Sequence, residues 1–465
     1  MAKLDTEIPY QIFFIKKSAS TEMESGGHMA PTFYSRCRGD ITNFCNHIWM
    51  YTLYNPNAVQ TFNTGTTMSQ VIFGLMRQST CLSNVLSIIN NTIKGVKDHR
   101  IILAPHDNIK NAQSSICEQL NIFQPHQCSF GFARYRSTLD CANFHINSHT
   151  SKIELLINLD IKNFFTSLTE KDMTDALIGH GFSPEETLKI IEKCTIKLTK
   201  SNLIQLIAKS CLNNTNLKAA YKYFKEESRN PSYRANRITF ADFEKTSRRC
   251  FCRVLNTYLY RNVFTVDFLE NWCAQILNLG THQVRNCRFL PQGSPASPVL
   301  SNITFKRMDF RLQGFAAAHG AIYTRYADDI SFTWSKRMGK KPINLFIHTV
   351  KEILRNMQLE VHPKKTKVVG SGGQMNILGY IINSGKPTIS KRYFEDTRKQ
   401  ILGISDLVSK GHISSKIQFD KMSQVVVGKI NFIKTASPEK AAKLSKMFAA
   451  ISPPGVTSRR EIHLA

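Results

Sequence analysis

Apolar and polar positions alternate in a way that separates the middle of the chain from its C-terminal part. The run Leu155–Ile161 is almost continuously apolar and has an acid near its end, as a buried strand does. Ile322–Phe332 is rich in β-forming residues and is interrupted by two adjacent acids, which predicts two strands joined by a tight turn. From Lys386 onward the apolar spacing becomes helical.

The two adjacent acids, Asp328 and Asp329, are the first candidates for chemistry. Successive residues of a strand point to opposite faces, so only a turn at this position would bring both carboxylates to one exposed tip. Hard carboxylate oxygens at such a tip suit Mg²⁺. An ordinary hairpin turn that merely favours aspartate is the alternative interpretation.

A third acid, Asp160, ends the buried strand predicted upstream. Phosphoryl transfer by two metal ions about 4 Å apart requires carboxylates from separate chain segments. Asp160, Asp328 and Asp329 would supply them. A further segment, Phe289–Asn302, contains glycine and three prolines before an apolar stretch, which predicts a rigid turn leading into a helix or, alternatively, an ordinary loop with an N-cap.

Taken together and in this order, three of these segments resemble the palm of reverse transcriptases, in particular the bacterial lineage of group II intron, retron and defence-associated enzymes. Asp160 corresponds to the first catalytic aspartate of that family. Leu290–Ser301 corresponds to the element beneath the incoming base pair, and Tyr326–Asp329 to the Y-x-D-D turn. Similarity to the family extends from about residue 95 to residue 450, through further segments at His99–Pro105, Gly131–Ser137, His362–Lys367, Asn376–Tyr380, Gly428–Ile433 and Ser437–Ala442.

The resemblance implies an α+β right-hand polymerase fold, with fingers, a palm built from an antiparallel sheet plus helices, and a helical thumb. It assigns residues 1–94 to an N-terminal extension and outer fingers, and residues 95–385 to fingers and palm. An insertion is expected at about 195–253. Residues 386–465 would form the helical thumb and C-terminal tail.

The resemblance also implies a site. Asp160, Asp328 and Asp329 would be catalytic, and with Ile161 they would hold two Mg²⁺ ions, Mn²⁺ being an alternative. A larger set of residues would bind the nucleotide. Arg100 would grip the triphosphate, and Phe165 would act as a steric gate against a 2′-hydroxyl. Gln292 and Gly293 would lie near the templating base, and Lys365 would meet the pyrophosphate. Lys364 and Lys367 remain alternatives to Lys365.

Composition narrows the class of partner. The chain of 465 residues has 61 Lys and Arg against 34 Asp and Glu, a net charge of +27. Such an excess favours a polyanion, and no apolar run approaches the roughly 20 residues of a membrane span. The twelve cysteines contain no C-x-x-C pair, which favours reduced, mostly buried thiols and a cytoplasmic setting.

The insertion mixes aromatic and basic residues, as in Tyr221–Lys225 and Tyr233–Arg237. Such a mix can stack on unpaired bases while neutralising phosphates, although a solvated helical face with buried aromatics has the same composition. Expected partners are therefore a non-coding RNA that serves as template or scaffold, the DNA product and deoxynucleoside triphosphates, without a membrane. A homo-oligomer remains open.

Two departures bear on the branch of the family. Cys141–His145 has cysteine where retron enzymes carry the asparagine of N-A-x-x-H, and Ile377–Gly379 stands where they carry V-T-G. The first expectation is therefore a stand-alone, defence-associated reverse transcriptase that copies a dedicated non-coding RNA in antiviral (anti-phage) defence. The alternatives are a retron enzyme making msDNA, a polymerase that uses no template or a short fixed one, and, from a different class, a catalytically silent RNA-binding scaffold.

Overall fold

The computed structural model describes residues 10–16, 89, 99–212, 218, 239–260, 265–277, 288–413 and 415–451. Contacts divide the chain into two compact units, each built from two separate stretches of sequence. Unit 1 contains residues 1–123 and 163–304, and unit 2 contains residues 124–162 and 305–465. The division does not follow the linear boundaries expected from the sequence, which stay a prediction.

The strands of the described residues are, in chain order, β1 Tyr10–Lys16, β2 His99–Pro105, β3 Leu155–Asp160, β4 Ile196–Lys197, β5 Arg288–Phe289, β6 Ile322–Tyr326, β7 Asp329–Trp334, β8 Lys367–Gly370, β9 Asn376–Ile377, β10 Tyr380–Ile381 and β11 Thr388–Ile389. The helices are α1 Asp107–Leu120, α2 Thr138–Asn147, α3 Phe164–Ser167, α4 Glu170–Gly179, α5 Pro184–Cys194, α6 Lys200–Cys211, α7 Phe240–Tyr260, α8 Val266–Leu277, α9 Ser297–Ala318, α10 Lys340–Arg355, α11 Lys391–Ser409, α12 Lys416–Ala436 and α13 Pro438–Ala449.

The centre of unit 2 is an antiparallel sheet with the strand order β6-β7-β3-β8. The strand predicted over Leu155–Ile161 and the hairpin predicted over Ile322–Phe332 are both present, and β3 lies directly beside β7. Leu156, Ile157, Ile330 and Phe332 are fully buried, so these strands form the core of the unit. This mixed architecture confirms the expected right-hand polymerase fold with its antiparallel palm sheet.

A second hairpin, β9–β10, connects the palm sheet to the C-terminal helices of the same unit. Its two-residue turn, Leu378 and Gly379, has positive φ at both positions, which is the tight-turn geometry that suits a twisted hairpin. The Tyr380 ring lies 4.8 Å from the Phe432 ring on α12, and the Tyr380 hydroxyl is 2.8 Å from the Thr435 hydroxyl. Helix α12 thus packs on this hairpin, and α11 and α13 pack against α12, while their role as a thumb stays a prediction.

In unit 1 a buried glutamine on α1 connects distant segments. Gln113 Nε2 donates to the Tyr10 hydroxyl on β1 and to the Lys193 carbonyl on α5, at 3.0 and 2.8 Å. Its Oε1 accepts from the Ser294 hydroxyl at 2.8 Å. The amide therefore uses both its donor and its acceptor side, as a buried polar group must.

The expected insertion begins with packed structure rather than a surface segment. Helix α6 buries Leu203, Ile204 and Ile207, and the Cys273 thiol of α8 is 3.5 Å from the Leu203 carbonyl. The tracts Tyr221–Lys225 and Tyr233–Arg237 lie outside the described residues. The stretch 195–212 is therefore part of the core of unit 1.

The described cysteines are free, and most are buried, as the sequence predicts. Burial raises the pKa of the Cys128, Cys141 and Cys194 thiols to about 12 in each case. Such thiols stay protonated at neutral pH and are poor nucleophiles. Among the helices of the described residues, none is both long and apolar enough to cross a membrane.

Helix α2 is fixed to the palm sheet through a buried histidine. Ser137 and Asp140 form a capping box at its start. His145 then lies within 2.8 Å of the Thr333 hydroxyl through Nδ1 and within 2.7 Å of the Thr324 hydroxyl through Nε2. This is the histidine of the Cys141–His145 element, and the Cys141 thiol meets the same Thr324 hydroxyl at 3.3 Å. The element therefore joins α2 to β6 and β7.

We expect His145 to make the stability of the protein fall at mildly acidic pH. Burial lowers its pKa from 6.5 to about 3, so between these values the unfolded chain binds a proton that the folded chain does not. Above pH 6.5 both states are neutral and the effect vanishes. The free energy of unfolding should drop by about 1.4 kcal/mol per pH unit below 6.5 because of this group.

The measurement is a series of urea unfolding curves between pH 7.5 and 5.0. In His145→Gln the free energy of unfolding should depend less on pH, by a slope equivalent to nearly one bound proton. His319→Gln, at an exposed histidine, serves as the matched control. An unchanged slope in His145→Gln would contradict the assignment.

Candidate active site

The strand register in unit 2 brings the three predicted acids to one end of the palm sheet. Asp160, the last residue of β3, is the register partner of Asp329, the first residue of β7. Asp328 lies in the turn before it. The Ile161 N–H donates to the Asp328 carbonyl at 2.9 Å, which joins the chain after β3 directly to the turn. Asp160 is buried, Asp328 is half-buried and Asp329 is exposed.

The turn itself is a tight hairpin in which Tyr326 pairs with Asp329. Its first loop residue, Ala327, has φ +56°, a left-handed conformation that costs an L-residue roughly 1–2 kcal/mol. The strain is held by close packing, because a Cβ placed on Gly131 would lie 2.4 Å from the Ala327 backbone nitrogen. Position 131 therefore has no room for a side chain, and its backbone supports the turn.

A buried ion pair lies under the same hairpin. Arg325 and Asp309 are both fully buried, and the guanidinium donates to the carboxylate through Nε and Nη2, at 2.8 Å each. Arg325 Nη1 also donates to the Ala327 carbonyl at 3.2 Å. Burial alone would lower the pKa of Arg325, but the Asp309 charge raises it, so the guanidinium stays charged. The pair positions the turn that carries Asp328 and Asp329.

Of the three candidate lysines, Lys365 is the one that meets the acids. Its Nζ lies 2.6 Å from Asp160 Oδ2, and the His362 N–H of the same segment donates to the Asp160 carbonyl at 2.8 Å. Lys364 and Lys367 are exposed. The structure thus pairs a cation with the first predicted catalytic aspartate.

The donor chemistry of this end of the sheet fits a divalent cation, although the side chains are not arranged as a closed cage. Carboxylate oxygens are the ligands that Mg²⁺ and Mn²⁺ take in proteins. Within the described part of the chain, no three His, Cys, Asp or Glu side chains converge as closely as one ion would require. Lys365 occupies one Asp160 oxygen, so metal binding at Asp160 competes with this ion pair.

Three of the residues predicted to contact nucleotide belong to unit 1, namely Arg100, Gln292 and Gly293. In this unit β2 lies against the proline-rich turn. The Leu103 N–H of β2 donates to the Gln292 carbonyl at 2.7 Å. Gly293 has φ +117°, and a Cβ there would lie 2.7 Å from Ile102 Cγ2. Arg100 is on β2, two residues before Ile102, but its side chain lies outside the described residues.

Phe165 follows Asp160 in sequence and lies in the one-turn helix α3 of unit 1. Its neighbour Phe164 is buried, and the two rings are 5.6 Å apart. Phe165 itself is half-buried, so part of its ring is accessible. Its role as a steric gate stays a prediction.

Sequence reasoning missed Asp309, Arg325 and Gly131 as supports of the turn that carries Asp328 and Asp329. One signal was available for Arg325, because a charged residue inside an apolar strand is buried only with a partner. Nothing local marks Asp309 as that partner, since it lies sixteen residues upstream on α9.

Comparison with known proteins defines the class. Residues 182–382 match the family described as "Reverse transcriptase (RNA-dependent DNA polymerase)". The match includes Gln292, Asp328, Asp329 and Lys365, and it begins after Asp160. Over these residues, somewhat less than half of its length, the chain is similar to reverse transcriptases.

Relatives place this domain near bacterial enzymes. The chain is 34% identical over 128 residues to the "Retron Mx162 reverse transcriptase" of Myxococcus xanthus. This alignment covers 26% of each chain. It is 36% identical over 114 residues to the "Retron Ec86 reverse transcriptase" of Escherichia coli, 24% of this chain and 34% of that one. These matches thus span about a quarter to a third of the relatives' length. The domain is retron-like in sequence.

Among solved structures, the chain is similar to one in "Structure of telomerase from Candida albicans in complexe with TWJ fragment of telomeric RNA". The TM-score is 0.31 at 10% identity, over 76% of this chain and 61% of that chain.

Proposed function

We propose that this protein is an RNA-directed DNA polymerase that copies a non-coding RNA into DNA. The observation that carries the proposal is the register of the palm sheet, which places Asp160 opposite Asp329 and beside the turn bearing Asp328. Three acids at one end of a sheet in a protein of net charge +27 would serve no evident packing purpose. The reverse-transcriptase family match over residues 182–382 supports the same activity.

In this proposal Asp160, Asp328 and Asp329 hold two Mg²⁺ ions, with the adjacent Ile161 backbone completing the site and Mn²⁺ as a substitute. The metal ions supply charge neutralisation and activation of a primer hydroxyl. Lys365 leaves Asp160 and neutralises the departing pyrophosphate. Arg100 binds the triphosphate through its planar guanidinium, and Gln292 and Gly293 lie near the templating base.

The test is RNA-templated synthesis by the purified full chain with a primer, deoxynucleoside triphosphates and Mg²⁺. The expected product resists RNase, is degraded by DNase and is complementary to the template. A product whose sequence ignores the template would mean a non-templated or short-template polymerase. The absence of product with intact RNA binding would mean an RNA-binding scaffold. Sequencing the RNA that copurifies identifies the natural template.

We propose further that Phe165 selects deoxynucleotides. Phe165→Ala should raise the ratio of kcat/KM for ribonucleotide over that for deoxynucleotide by about tenfold or more, because the clash with the 2′-hydroxyl is relieved. Phe268→Ala is the matched control, since Phe268 is a partly exposed phenylalanine on α8. Unchanged selectivity in Phe165→Ala would make this residue part of the core only.

The proposal also concerns the biological process in which this polymerase acts. A stand-alone enzyme of antiviral (anti-phage) defence, acting in the cytoplasm on its own RNA, remains the first candidate. A retron enzyme making msDNA is the second, and the retron reverse transcriptases among its relatives are compatible with either candidate. Sequencing the DNA that accumulates with the protein identifies its product and the RNA from which it was copied.

A further inference from the structure

The loop Gly131–Ser137 of unit 2 carries two exposed aromatic side chains next to the catalytic turn. Tyr135 is 100% exposed and Phe132 is 44% exposed. Gly131, at the start of the loop, lies against the backbone of Tyr326 and Ala327, and the Phe132 ring is 6.5 Å from the Tyr326 ring. The Phe132 ring therefore lies beside the turn that carries Asp328, and Tyr135 follows three residues later in the same loop.

Both aromatic residues have a strained backbone. Phe132 has φ +58° and Tyr135 has φ +61°, in the left-handed region that bulky side chains rarely adopt. Such strain persists only where the surrounding structure holds it, and it concentrates at functional sites. Tyr135 gains no burial in return, since its side chain is fully exposed. Folding therefore does not account for a ring at this position.

The loop is held rigidly although its rings are exposed. Arg136 Nη1 donates to the carbonyls of His126, Gln127 and Ser129, at 3.0, 2.8 and 2.7 Å. The Arg136 guanidinium also lies over the Phe130 ring at 5.3 Å. Ser137 caps α2 immediately afterwards. The backbone that carries Tyr135 is thus largely fixed before any partner binds, which lowers the entropic cost of binding.

From these observations we propose that Tyr135 is a stacking platform for an unpaired base of the RNA strand that enters the active site, with Phe132 as a second ring towards the catalytic turn. This inference rests on the proposed function and adds a binding site to it. Arg134, which is exposed and lies between the two residues in sequence, neutralises the adjacent phosphate. A rigid exposed aromatic beside a base is the arrangement that binds single strands without reading sequence.

The experiment measures affinity of the full chain for a single-stranded RNA by fluorescence anisotropy, without metal or nucleotides. Tyr135→Asn removes the ring and keeps a residue that tolerates positive φ. We expect this change to weaken binding about five- to tenfold. Tyr135→Phe should bind like the wild type, because the ring and not the hydroxyl carries the contact.

Three controls make the result specific. Tyr260→Asn removes a tyrosine that is 89% exposed on α7 and should leave binding unchanged. The melting temperature of Tyr135→Asn should equal or exceed that of the wild type, whereas a structural role of the ring would lower it. Arg134→Gln should reduce the slope of log affinity against log salt by about 0.7, while Tyr135→Asn leaves that slope unchanged.

A 2-aminopurine base placed in the RNA reports stacking directly, through quenching that wild type and Tyr135→Phe produce and Tyr135→Asn does not. Equal affinity of Tyr135→Asn and the wild type would overturn the proposal and leave the ring to a protein partner. The proposal would also be overturned if Tyr135→Asn lost as much affinity for RNA with abasic sites as for intact RNA. The same holds if Tyr135→Asn lost affinity for DNA of the same sequence and not for RNA. Because no synthesis is measured, a failure of the polymerase assay leaves this result intact, and the two proposals fail separately.

Discussion

Asp328→Asn is expected to lower nucleotide incorporation by at least about a thousandfold, equivalent to roughly 4 kcal/mol of transition-state stabilisation. The amide is neutral and cannot replace a carboxylate as a ligand of a hard divalent cation. Affinity for RNA should stay within about twofold of the wild type, because the basic surface is unchanged. Primer extension under single-turnover conditions and RNA binding by anisotropy provide the two measurements.

Asp406→Asn is the matched control, since Asp406 is an exposed aspartate on α11 that pairs with Lys410. It should leave both quantities unchanged. Mn²⁺ binding followed by electron paramagnetic resonance gives a readout that does not depend on turnover, and Asp328→Asn should weaken it. Normal extension by Asp328→Asn would refute the catalytic assignment, and a parallel collapse of RNA binding would show that the aspartate serves mainly the fold.

Asp309→Asn is expected to have the largest effect on stability, about 3–5 kcal/mol. It leaves the fully buried Arg325 without its counter-ion, and the Tyr323 hydroxyl, which donates to Asp309 Oδ1 at 2.7 Å, loses a charged acceptor. The free energy of unfolding from urea titration measures the effect. Activity at low temperature should fall as well, because Arg325 also donates to the carbonyl of Ala327 in the catalytic turn.

Glu154→Gln gives the comparison, since Glu154 pairs with the exposed Arg337 and a solvent-screened surface pair contributes little to stability. A double variant, Asp309→Leu with Arg325→Met, should be less unstable than Asp309→Asn, because removing both charges leaves neither unpaired. If Asp309→Asn cost no more than Glu154→Gln, the buried pair would not be what supports the hairpin.

The sequence determined the elements that depend on local pattern. The apolar run of β3 ends at Asp160, and two β-forming runs flank the acids of the β6–β7 turn, so strand, hairpin and acid positions follow from periodicity and turn chemistry. The order of the motifs then identified the reverse-transcriptase domain. Burial of Phe164 and of most described cysteines also followed from residue type.

Only the tertiary structure decided how these elements support one another. It showed that Lys365 pairs with Asp160, a contact that depends on which Nζ the segment brings to the end of β3, while the choice among Lys364, Lys365 and Lys367 at the pyrophosphate stays a prediction. It showed that α6, expected in an insertion, packs in the core of unit 1. Gly131 beneath Ala327 and Asp309 beneath Arg325 are likewise contacts between residues far apart in the chain. Local sequence encodes which residues prefer a strand or a turn, but it does not encode which distant backbone or charge will meet them after folding.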